Sequence, residues 1–79
     1  MDEKHQIEKT ANDVFEKLRL KWVVAAVQEN RESHGWDVEV QAPDGSELIL
    51  SIPHGSPREI KQALIQQAEE EIDRLSSHH

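Results

Sequence analysis

Apolar positions along this chain fall into three patterned stretches. From Ile7, the residues Ala11, Val14, Leu18, Trp22 and Ala25 follow at spacings of four, three, four, four and three, with Phe15 and Ala26 widening the stripe. That is the period of a helix with one buried face. Gly35 then supplies the left-handed residue that commonly ends a helix, so the spacing predicts one helix over about residues 4–33.

A second set of apolar residues complicates its latter half. Leu20, Val23, Val24 and Val27 lie off the stripe, on roughly the opposite side of a helical wheel. A helix apolar nearly all round is buried on two sides. It is either sandwiched within one chain, or it joins two chains as a homodimer through the first helix, with Leu20, Val23, Val24 and Val27 at the interface. The alternative is that LKWVVAAVQ, rich in β-branched Val, is a strand. The flanking helix formers NDVFEKLRL and QENRES favour the helix.

The middle of the chain alternates. In WDVEVQA, Trp36, Val38, Val40 and Ala42 share one face, with Asp37, Glu39 and Gln41 on the other. In ELILSI, Leu48, Leu50 and Ile52 share a face. Between them stands PDG, in which Pro43 presets φ, Asp44 caps the turn and Gly45 takes positive φ. Centring the hairpin on Asp44 pairs Val40 with Leu48, Val38 with Leu50 and Trp36 with Ile52, so each inward residue meets another. The hairpin is predicted over 36–52.

Pro53 cannot donate to a ladder and ends the second strand. Ser56, Pro57 and Glu59 read as N-cap, first helical residue and the distal half of a capping box. The stripe Ile60, Ala63, Leu64, Ala68, Ile72 and Leu75 carries a helix over 57–76, leaving a frayed tail at 77–79. The expected fold is α+β: a single domain, helix–β-hairpin–helix (αββα), with a two-stranded antiparallel sheet packed on two helices.

Composition narrows the functional classes. The 79 residues hold 9 Lys+Arg against 16 Asp+Glu, a net charge of -7, which disfavours nucleic acid and favours a basic protein partner. With no cysteine, thiol catalysis and cysteine metal sites are excluded. The N-terminal MDEKHQIEK is charged rather than signal-like, and the longest apolar run, WVVAAV, is far too short for a membrane span. A soluble, cytoplasmic protein is the expectation.

Candidate chemistry is thin. Gly55 and Ser56 open a helix, where N–H groups can hold an anion, but the stretch lacks the glycines and Lys of a phosphate loop. Pro57 removes one donor and Glu59 repels an anion, so the pair reads as a cap. His34 and His54 fall opposite each other if the hairpin register runs one step further. Two imidazoles there suit a divalent metal, with Glu32 or water completing the shell, or a pH response. His78 and His79 read as tail or tag residues, and Glu69, Glu70 and Glu71 as a solvated helix face with Arg74 in reach.

No nucleophile motif, no cofactor fingerprint and no pocket-sized core is in view, so the chain is expected not to be an enzyme and to need no cofactor. Were residues 20–28 a strand, the order helix–three strands–helix would be that of a double-stranded-RNA-binding domain. That family's basic helix start is absent, since SPREIKQA offers only Arg58 and Lys61. Two functional readings remain. One is a designed or idealised structural domain without a biological ligand, in which every local signal agrees with one fold. The other is a natural acidic binding module, an inhibitor or adaptor that docks on a basic protein surface.

Overall fold

A computed structural model describes residues 3–76. The elements are α1 (Glu3–Lys17), β1 (Val23–Asn30), β2 (Gly35–Gln41), β3 (Glu47–Pro53) and α2 (Pro57–Ser76). The three strands form one antiparallel sheet in the order β1-β2-β3. The α+β class stands, and the two-stranded αββα arrangement is corrected to αβββα. The frayed tail assigned to 77–79, with His78 and His79, lies outside the described residues.

The single helix expected over 4–33 ends at Lys17, and the cause is local. The Leu20 N–H donates to the Phe15 carbonyl at 2.8 Å, and the Arg19 N–H donates to the Glu16 carbonyl at 3.0 Å. These crossed bonds make a Schellman stop, with Arg19 at φ 59° in the left-handed position usually given to glycine. The chain then leaves the helix, and Trp22 folds back so that its ring meets Phe15 edge-on, with centroids 5.3 Å apart.

The next apolar run is strand, not helix, and it carries a bulge. Val24 pairs with Val40, Ala26 with Glu39 and Val27 with Val38, leaving Ala25 without a partner on β2. The extra residue lets Val24 and Val27, three apart in sequence, both lie beside inward residues of β2. The β1–β2 turn is held by Asn30, whose Oδ1 accepts the N–H groups of Glu32 (3.0 Å) and Ser33 (3.2 Å). At its end His34 has φ 53°, and Gly35 is buried where a Cβ would stand 2.2 Å from the Ile52 carbonyl oxygen. Only glycine fits that approach.

The second hairpin has the expected register, with Trp36 opposite Ile52, Val38 opposite Leu50 and Val40 opposite Leu48. Gly45 takes φ 91° in the turn, and the Asp44 carboxylate accepts the Ser46 N–H at 2.9 Å and its hydroxyl at 2.5 Å. The α2 start is also as expected. The Glu59 N–H donates to Ser56 Oγ at 3.3 Å, and the Ser56 hydroxyl donates to Glu59 Oε1 at 3.2 Å.

Both helices cover one face of the sheet, α1 against β1 and α2 against β3, and they touch each other. One core results. Ile7, Ala11, Val14 and Phe15 of α1 meet Trp36, Val38, Val40, Leu50 and Ile52 of the sheet and Leu64 and Ala68 of α2. No buried polar or charged residue lies among the described residues. No described helix is long and apolar enough to cross a membrane.

Candidate functional site

The two histidines singled out by register do meet through the backbone. The His54 N–H points to the His34 carbonyl at 3.4 Å, continuing the ladder one step past Gly35 and Pro53. Their side chains have different surroundings. His54 Nε2 lies 3.4 Å from Glu29 Oε2 of β1, and its ring sits 5.3 Å from the Trp36 ring at a tilt of 52°. His34 is exposed at the end of the β1–β2 turn. Among the described residues, no three His, Cys, Asp or Glu side chains gather as a metal-holding group. Glu32, offered as a third ligand, uses its N–H to close the turn on Asn30.

Glu29 is the partner that the pattern along the chain does not reveal. It comes to His54 because β1 pairs Glu29 with Trp36, and β2 pairs Trp36 with Ile52, two residues before His54. The contact is an exposed one, with roughly half of each side chain open to solvent. An ion pair in water of that kind contributes little to stability, about 0–1 kcal/mol.

The Gly55–Ser56 turn is occupied by its own cap. A Cβ at Gly55 would stand 2.9 Å from Glu59 Oε2, so the carboxylate lies directly over the turn. An anion there would meet that charge. Along α2, Arg74 pairs with Glu71 one turn earlier; of the acidic run expected on a solvated face, Glu69 and Glu70 are exposed, whereas the Glu71 side chain is only 18% exposed.

The four residues expected at a homodimer interface divide between two environments. Leu20, Val24 and Val27 are half-buried and pack against the core. Val23 is 61% exposed, on the sheet face turned away from the helices. Ile49, also 61% exposed, lies on that same open face, where the paired row runs Ala26, Glu39, Ile49. Neighbouring rows bring Gln41 and Glu47 beside Val23, and Gln28, Asp37 and Ser51 beyond. None of the 9 Lys+Arg falls within any of the three strands.

That open face is the most distinctive surface of the molecule. It joins two exposed aliphatic side chains to the carboxylates of Asp37, Glu39 and Glu47, with no cation of the strands to offset them. Comparison with protein-family models, with curated proteins and with solved structures finds no match to this chain. The helix–three strands–helix order therefore brings no function by analogy.

Proposed function

We propose that this chain is a non-catalytic acidic protein-binding domain, and that it sets the open face of its sheet against a basic, partly apolar surface of another protein. The observation that supports this is the composition of that face. Val23 and Ile49 stand 61% exposed beside Glu39 and Glu47, and all 9 Lys+Arg lie outside the strands. Surfaces that serve only solubility mix both signs of charge, and lysine is a common guard on edge strands. Here the carboxylates present one sign, which steers a basic partner and rejects an acidic one. The aliphatic pair then gains by leaving water, at about 25 cal/mol per Å².

The idealised structural domain is the rival reading. Its support is the hairpin register and the closed capping box. Against it stand Arg19 at φ 59°, His34 at φ 53° and the bulge at Ala25, because idealised backbones give left-handed positions to glycine and leave strands regular.

Immobilised protein should retain a basic partner and release it as salt rises above about 0.15 M, where exposed charges are increasingly screened. Ile49→Asp and the pair Glu39→Lys, Glu47→Lys should each abolish retention while leaving the fold intact by circular dichroism. Retention unchanged by all of these would remove the sheet face as the docking surface. Retention of a second copy of the chain alone would replace the basic partner by self-association.

A further inference from the structure

We propose that a second copy of this chain pairs with the free edge of β3, antiparallel and centred on Ile49, so that two three-stranded sheets become one. The edge is distinct from the open face and leaves that face free for a basic partner. Hydrogen bonds at both ends of the hairpin fix where β3 aims its backbone groups. The Ala42 N–H donates to the Ser46 carbonyl at 2.9 Å, and the His54 N–H to the His34 carbonyl at 3.4 Å. Opposed residues of an antiparallel ladder alternate between bonded and non-bonded pairs. Between those limits, Leu48, Leu50 and Ile52 therefore turn their N–H and carbonyl groups to β2. Glu47, Ile49 and Ser51 turn theirs outward, the open groups of an edge strand. Pro53 falls in the outward set, where its missing N–H takes nothing from the ladder.

That edge is self-complementary in one register. With Ile49 opposite Ile49 of the second copy, Glu47 meets Ser51, Ser51 meets Glu47, and every outward N–H finds a carbonyl. Slipping the register one way sets Glu47 against Pro53, which has no N–H to give. Slipping it the other way sets Ser51 against Gly45, whose N–H is already held by the Ala42 carbonyl. The side chains agree with the backbone. Ile49, 61% exposed in one copy, stacks on its counterpart and leaves water, and the half-buried Leu48 lies beside Leu50. Glu47 faces Ser51, so no carboxylate of the strand stands opposite another. The other edge, β1, is kinked by the bulge at Ala25 and offers no such straight ladder. Each copy carries a net charge of -7, so repulsion opposes the pairing and added salt strengthens it. Docking on a basic partner responds to salt with the opposite sign.

Sedimentation over a range of concentrations should show a mass rising from 9.1 kDa toward twice that value, and rising sooner as sodium chloride is added. Ser51→Pro deletes an outward N–H from both copies and should weaken association about tenfold or more, whereas Ser51→Ala keeps the donor and the pairing. Val23→Asp, on the open face at the far edge of the sheet, should leave association unchanged. In the unaltered protein the amides of Glu47, Ile49 and Ser51 should exchange with solvent more slowly as concentration rises, which decides the matter if a variant fails to fold. A mass fixed at 9.1 kDa up to millimolar concentration would overturn the proposal. So would association that survives Ser51→Pro, or exchange at those amides that ignores concentration. Association abolished by Val23→Asp would also overturn it, by moving the contact to the open face.

Discussion

At Arg19 a long side chain occupies a backbone conformation that costs L-residues about 1 kcal/mol and costs glycine almost nothing. Arg19→Gly should therefore stabilise the fold by about 1 kcal/mol, minus part of the entropy glycine gains when unfolded. Urea denaturation would show it as a higher midpoint with an unchanged slope, and a lower midpoint would mean that the Arg19 side chain offsets its own strain. Asp44 carries a different signature. The Ser46 hydroxyl, and then the Ser46 N–H, hold its carboxyl below the ordinary value of 3.8. Its folded value being the lower one, the unfolded chain takes up the proton first as the solution is acidified. The contribution is thus present above 3.8 and lost as pH falls through the folded value. Asp44→Asn should flatten that part of the acid profile, because the amide oxygen accepts the same bonds without titrating. Melting curves of both proteins between neutral and acid pH would converge at the acid end, and parallel curves would reject the assignment.

At the scale of elements, legibility depended on whether each signal was kept in phase. The β2–β3 hairpin was readable because its alternation is unbroken from Trp36 to Ile52 and the turn uses Pro43, Asp44 and Gly45 in their ordinary places. The α2 start was readable from Ser56 and Glu59. The end of α1 was not, because its left-handed residue is Arg19, and the nearest glycine downstream, Gly35, lies beyond an entire strand. The strand β1 was hidden by its own bulge, since Val24 and Val27 face the core at a spacing of three, which mimics a helix. Trp22 completed the illusion by falling on the helical stripe while reaching the core from outside the helix. The candidate site suffered in turn: Glu29 beside His54, and Val23 on the open face, both follow from the β1 register alone. Deleting Ala25 should make that ladder regular and leave both helices in place. It would also remove the kink that guards an edge strand with no lysine along it. Sedimentation should then show more association than in the parent at equal concentration; identical sedimentation would mean the bulge has no protective role.

Over the whole molecule, 16 carboxylates against 9 cations act on a chain of only 79 residues with one small core. Folding gathers that like charge into a compact body, and self-repulsion opposes it. Moderate sodium chloride should therefore raise the melting temperature, and an uncharged osmolyte of equal osmolality should not reproduce the full effect. A melting temperature insensitive to chloride would show that the local pairs already balance the field. Each strand pairs with its neighbour in sequence, so the sheet itself needs no long-range closure, and the one distant closure is that of α1 on α2. The bulge is a separate matter. In a growing sheet it behaves as a dislocation, one surplus residue that can sit at Ala25 or be displaced along the ladder by a local slip. Each step of such a slip turns one more Val or Ala to the wrong side of the sheet. Chains that close β1 with the dislocation misplaced would be nearly native and would need no unfolding to recover. They would reach the final state by letting the surplus residue migrate, a slower relaxation written into one extra alanine.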